Sequence, residues 1–169
     1  MNNVDAGLAV LRVLIGLTFA AHGLNKFFGG GRIPGTARWF DSIGMRPGRM
    51  HAVVAAGTET LAGVFFALGL LTPFAAAAIV SVMLVAAWTV HRDAGFFSAG
   101  GGWEYNFVLA VVSVGVATTG PGAFSVDRVT GFDLASLWGF TIALGLGLGA
   151  GLAQLALFFR PPVAESVSP

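Results

Sequence analysis

Cysteine is missing from all 169 residues. The chain therefore cannot exchange thiols, hold an iron–sulfur cluster on its own cysteines or attach haem through a CxxCH motif. Charge is scarce. Asp, Glu, Lys and Arg make up 10% of the chain, against about 25% in soluble domains. What charge there is nearly cancels, at a net +1, which excludes a large electrostatic role with nucleic acid. A basic start is lacking too. In MNNVDAG the only charged side chain before Arg12 is Asp5. That is unlike a secretory signal peptide, so the first apolar stretch reads as a retained span.

What fills the chain is apolar surface: 56% of residues are hydrophobic and mean hydropathy is +0.82. This composition describes an integral membrane protein. At about 20 residues per span, the length supports four or five spans and one domain. The runs are Ala6–Phe28, Met50–Leu71, Pro73–Val90, Trp103–Thr119 and Leu134–Phe159. The expected fold is all-α: a four-helix transmembrane bundle over residues 1–128, a fifth C-terminal transmembrane helix over 129–160, and a disordered cytoplasmic tail over 161–169. Gly29 to Gly31 end the first run. Thr72-Pro73 joins the second and third so tightly that they must be antiparallel neighbours. Between the first two, Pro34 to Gly44 fits a short interfacial helix with Trp39, Phe40 and Ile43 on one side. A loop with two aromatic anchors fits as well. Gly120-Pro121-Gly122 and Ser125-Val126-Asp127 read as a turn-rich segment.

The first run carries its polar groups in register. At about 100° per residue, Arg12, Gly16, Phe19, Gly23 and Lys26 fall on one stripe, with His22 at its edge. The second run carries Glu59 on a face with Ala52, Ala55, Ala56, Ala62 and Gly63. Small residues let helices approach closely, so these two faces should pack together with Glu59 charge-paired. Measured from the cytoplasmic end, Lys26 lies roughly 3 Å deep, His22 roughly 9 Å, Glu59 roughly 14 Å and Arg12 roughly 24 Å. Either Arg12 or the His22/Lys26 pair can reach Glu59. Two readings stand: a buried pair that fixes helix register, or a polar lining that binds a head group or relays a proton.

His22, His51 and His91 all fall near the predicted cytoplasmic ends, level with Glu104. Imidazole and carboxylate suit a transition metal or haem, but no HxxxH-type spacing is present. Interfacial polarity accounts for these residues, and no metal is expected. The run GLGLGAG formally matches a dinucleotide fingerprint, yet no strand precedes it. Its Gly145/Gly149 and Gly147/Gly151 pairs have GxxxG spacing, which suits packing onto the bundle or self-association. Topology follows from Lys and Arg. Five spans would put Lys26, Arg32, Arg38, Arg46, Arg49, Arg92 and Arg160 on one side and Arg128 on the other. The N-terminus is then outside and the C-terminus cytoplasmic.

The ordered set Arg12, Gly16, Phe19, His22-Gly23-Leu24-Asn25-Lys26, then Glu59, Gly63 and Leu68-Gly69-Leu70-Leu71-Thr72-Pro73, resembles the DoxX family of small bacterial membrane proteins. Trp103-Glu104-Tyr105-Asn106, Gly120-Pro121-Gly122 and Ser125-Val126-Asp127 extend the resemblance, which covers about residues 8 to 127. It implies a four-helix core in the bacterial inner membrane, with Arg12, Lys26, Glu59 and Glu104 at family-pattern positions. It also implies an association with redox complexes, since relatives include a membrane subunit of a thiosulfate:quinone oxidoreductase. More distant relatives assist maturation or trafficking of other proteins. The missing cysteines turn the expectation away from thiol chemistry and towards an anchor or a quinone- or lipid-binding role.

Two functions follow. In the first, the chain is a membrane subunit that docks a redox partner and binds a quinone or lipid, with Arg12, His22, Lys26, Glu59 and Glu104 as ligand-binding or proton-relay residues. In the second, it is a non-catalytic scaffold or assembly factor that meets other helices or its own copies through Gly145 and Gly149. A small transporter is a third reading, but no inverted repeat or broken helix supports it.

Overall fold

A computed structural model describes residues 3–132 and 134–161. The expected tail from 162 onward lies outside them. Helices account for about four-fifths of the described residues. They are α1 (Asn3–Phe28), α2 (Arg32–Ser42), α3 (Gly48–Leu68), α4 (Thr72–Ala94), α5 (Glu104–Thr119), α6 (Val126–Thr130) and α7 (Ser136–Phe158). Near its end α4 loosens into a π-helical turn at Ala87–His91, and α7 has one at Thr141–Leu146. The interfacial segment is a helix, α2, and buries Phe40.

The most extensive contact is α1 on α3. It forms on the small-residue faces read from the sequence. Arg12, Gly16, Phe19, Ala20 and Gly23 are buried on α1, and Ala52, Ala56, Glu59, Ala62 and Gly63 on α3. The approach is backbone to backbone. A Cβ on Gly16 would overlap the Gly63 carbonyl, and one on Gly63 would overlap the Ala20 amide. Behind this pair, α4 packs against α5 and α7. Phe19, Phe66, Ile79, Val116 and Ala143 form the shared core.

The helices run between two faces of the bundle. One face gathers the start of α1, the α3–α4 turn and α6. There Asp5 Oδ1 accepts from the Ala123 amide at 2.9 Å. The other face gathers the end of α1, α2, the start of α3, the α4–α5 connection and the end of α7. There the Arg160 amide donates to the Gly44 carbonyl at 2.8 Å.

Four helices, α1, α3, α4 and α7, are long and apolar enough to cross a membrane. Their outward sides expose Leu14, Leu17, Leu61, Leu152 and Leu157, as lipid-facing helices do. The chain is a multi-pass membrane protein. The expected fourth span, α5, has 16 residues, roughly 24 Å of helix against about 30 Å of hydrocarbon. On length alone it falls short.

The expected turn at Ser125 to Asp127 is instead the start of α6. Ser125 Oγ caps it by accepting from the Arg128 amide at 3.2 Å. This brings Asp127 onto the α3–α4 turn, where Gly69 and Leu71 take φ of 64° and 48°. The Asp127 carboxylate accepts from the Leu71 amide at 2.7 Å, the Thr72 amide at 2.9 Å and Thr72 Oγ1 at 2.7 Å. The free amides at the start of α4 are thus capped by a carboxylate from far along the chain.

Candidate functional site

Lys26 Nζ donates to Glu59 Oε2. Both lie on the α1–α3 interface, and helix direction brings them together. Side chains tilt towards the N-terminus of their own helix. Lys26 on α1 therefore leans into the bundle, while Glu59 on the antiparallel α3 leans back towards the face where α1 ends. The same rule tilts Arg12, also on α1, towards the start of that helix, which for Arg12 is away from Glu59. Its Nη1 donates to the Ala67 carbonyl at 2.9 Å and its Nη2 to the Phe124 carbonyl at 2.6 Å. Of the two partners open to Glu59, the structure takes Lys26. Arg12 locks the opposite end of the bundle, where Asp127 is the neighbouring acid.

The ion pair borders a cavity of about 540 Å³. Phe19, His22 and Lys26 of α1, Trp39 and Phe40 of α2, and Thr58 and Glu59 of α3 line it. Its long wall is α4, from Phe74 to Val90, roughly 24 Å of helix. Tyr105, Asn106 and Leu109 of α5 close one flank, and Leu146, Ala150 and Gln154 of α7 the other. Polarity is graded along its length. Lys26, His22, Thr89, Tyr105, Asn106 and Gln154 lie within roughly 9 Å of the face holding α2, counted along their helices. Phe74, Ala78 and Leu146 lie roughly 18–30 Å from it. Polar side chains gather towards the α2 end, with Thr58 and Glu59 midway and Ser81 beyond them, in a lining that is otherwise apolar.

The remaining sequence-derived candidates are elsewhere. Glu104 does not line the cavity. Its Oε2 accepts from the Ser98 amide at 2.9 Å and from Ser98 Oγ at 2.7 Å, and so shapes the loop before α5. His91 Nδ1 lies 2.6 Å from the Gly101 carbonyl oxygen in the same loop. His51 is buried beneath α7. It packs edge-on against Phe158, with ring centres 5.0 Å apart, and its Nδ1 lies 3.1 Å from Gln154 Nε2. The three histidines are thus dispersed, and among the described residues no group of three or more His, Cys, Asp or Glu converges on a metal-sized site. Gly147 and Gly151 pack on α4, whereas Gly145 and Gly149 face outward with nothing within 4 Å of a Cβ.

Sequence reasoning missed Asp127, Asn106 and Gln154 as individual residues. Gln154 did carry a signal: it is a lone amide within the long apolar run of α7, and a polar side chain there normally has a partner.

The family profile described as DoxX matches residues 7–92. A Bacillus subtilis (strain 168) protein named "Putative oxidoreductase CatD" is 34% identical over 123 residues, covering 73% of this chain and 86% of that protein. A Haemophilus influenzae protein named only "Uncharacterized protein" is 26% identical over 139 residues, covering 76% of this chain and 87% of its own length. No solved structure matches the chain at a significant level.

Proposed function

The chain belongs to the DoxX family, and we propose that it is an inner-membrane subunit of a redox complex that binds an isoprenoid quinone in the cavity between α1, α3, α4, α5 and α7. The observation that carries this reading is the cavity's grading: Lys26, His22 and Thr89 lie towards one end, the Lys26–Glu59 contact reaches inward from there, and apolar residues of α4 such as Phe74 and Ala78 line the other end. A polar ring on a long hydrocarbon tail matches both ends. The roughly 24 Å α4 wall suits an extended tail, and the ion pair offers a head group both a cation and a carboxylate that can accept a proton.

A quinone bound there would supply two-electron, two-proton redox chemistry. The chain's own contribution is positional. Lys26 would place positive charge beside the head group, Glu59 and His22 would exchange protons with it, and Trp39 and Phe40 would shield that end from water. Electrons would come from a partner oxidoreductase docked on the basic face that carries Arg32, Arg38, Arg46 and Arg49. That face is cytoplasmic in this reading, with the four long helices and the shorter α5 all crossing the bilayer and the N-terminus outside. The Bacillus subtilis relative bears the name "Putative oxidoreductase CatD", which agrees with a redox setting.

The test is to purify the protein in mild detergent and identify co-purifying small molecules by mass spectrometry. A stoichiometric quinone, lost or reduced in amount in folded Glu59→Gln, is the expected result. Bulk phospholipid alone, in a folded preparation, would overturn the reading in favour of a non-catalytic scaffold.

A further inference from the structure

Asn106, on the first turn of α5, is 5% exposed and lines the cavity. Its only side-chain hydrogen bond among the described residues is Nδ2 to Met83 Sδ at 3.6 Å. A thioether is a weak acceptor, and a carboxamide has two N–H donors and an oxygen with two lone pairs. One N–H and the oxygen are therefore without a protein partner. Leaving such groups unmet in an apolar wall is costly. They are not sealed in protein as Arg12 Nε is; they border the cavity.

Asn106 comes from α5, whereas the Lys26–Glu59 pair comes from α1 and α3. The polar end of the cavity is thus approached from separate helices by two different chemistries, an ion pair and a neutral amide. We propose that Asn106 is the second anchor of the head group, so that the site selects ligands with two polar edges on one ring, as a quinone or quinol has. An isoprenoid alcohol, with a single hydroxyl, would engage the ion pair and leave the amide unmet. This inference rests on the quinone reading above and adds the residue that would discriminate among long-tailed ligands.

The experiment compares the parent chain, Asn106→Leu and Met83→Leu in lipid nanodiscs, with decylubiquinone and farnesol as probes. Asn106→Leu is expected to weaken decylubiquinone binding about tenfold, the equivalent of one hydrogen bond of about 1.4 kcal/mol. Farnesol binding should change less than twofold, and the melting temperature without ligand should hold or rise, because a half-satisfied amide has been removed. Met83→Leu deletes the one side-chain hydrogen-bond partner that Asn106 has among the described residues, keeps an apolar side chain of similar size in the cavity wall, and should leave decylubiquinone binding within about twofold of the parent. Equal decylubiquinone binding by parent and Asn106→Leu overturns the inference but not the quinone reading. So does a loss in Met83→Leu that matches the loss in Asn106→Leu, because Asn106 would then act through Met83. No decylubiquinone binding by the parent overturns the quinone reading and this inference with it. Should Asn106→Leu not fold, a photoreactive azidoquinone on the parent decides instead. Label on the first turns of α5 supports the anchor, and label confined to other helices overturns it.

Discussion

Lys26 and Glu59 meet although their backbones sit at different depths. Counted along the helices, Lys26 is roughly 3 Å from the end of α1 and Glu59 roughly 16 Å from the start of α3. The two side chains close that gap by leaning towards each other from antiparallel helices. Glu59 is 6% exposed, so removing its cation strands a buried carboxylate. Lys26→Met is expected to cost about 3–5 kcal/mol, and adding Glu59→Gln should restore most of it. Denaturant titration in detergent measures both. A Lys26→Met loss well under 1 kcal/mol would show that the pair is not desolvated in the folded protein.

Arg12 makes the opposite prediction for ligand. It is 1% exposed and bonded to two backbone carbonyls at the far end of the bundle. Arg12→Met should destabilise the fold by about 3 kcal/mol, since charged hydrogen bonds contribute about 1.5–3 kcal/mol each. Arg12→Lys should not rescue it, because an ammonium lacks the planar fork that spans two acceptors. The quinone content per folded molecule should stay at the parent level. A stable Arg12→Met that has lost its ligand would place Arg12 in the binding site instead.

Asp127 has three donors to satisfy, two of them backbone amides of the α3–α4 turn. Asn at this position turns its NH₂ towards at least one backbone amide, which can only donate. Asp127→Asn should cost about 2 kcal/mol, and Thr72→Val, which removes a single hydroxyl, about 1 kcal/mol. Limited proteolysis at the turn offers a local readout. Parent-like resistance in Asp127→Asn would mean that this cap does not hold α4.

The α1–α3 interface was legible because a stripe of small and polar residues at helical spacing has few other uses in a membrane span. The partner of Glu59 was narrowed to two but not chosen. Depths alone leave Arg12 and Lys26 equivalent, whereas the tilt of side chains towards each helix N-terminus separates them. Asp127 was not legible. It acts across more than fifty residues of chain, and no local pattern encodes a cap delivered from such a distance. The α7 glycines were legible as a pattern but not in phase, since both GxxxG pairs have the same spacing. Only packing against α4 selects Gly147 and Gly151.

That phase can be tested directly. A Cβ on Gly147 would lie 2.7 Å from Val80 Cβ, whereas one on Gly145 meets nothing within 4 Å. Gly147→Ala should cost about 1–3 kcal/mol by overpacking. Gly145→Ala should be neutral to within about 0.5 kcal/mol, or slightly stabilising from its gain in helix propensity. Comparable effects at both positions would mean that α7 is rotated from the orientation described.

The absence of cysteine makes the topology directly testable, because any introduced thiol is unique. Phe97 and Val129 are 71% and 86% exposed and flank α5, one on each face of the bundle. In the proposed topology the Phe97 face, which carries the excess of Lys and Arg, is the cytoplasmic one. A membrane-impermeant maleimide applied to spheroplasts should therefore label Val129→Cys at once, and Phe97→Cys only after the membrane is opened. The reverse pattern would invert the orientation while keeping the crossing. Labelling of both from outside would mean that α5, at roughly 24 Å, does not cross. A crossing by so short a helix needs the bilayer to thin locally, at a modest cost per ångström of mismatch. Trp103 at its start is well suited to sit at the interface. The cavity makes the same demand from a different direction. Asn106 and Tyr105 can share a ligand with Lys26 and Glu59 only if α5 stands in the bilayer beside α1, so opposite labelling of the two cysteines is also what the proposed site requires.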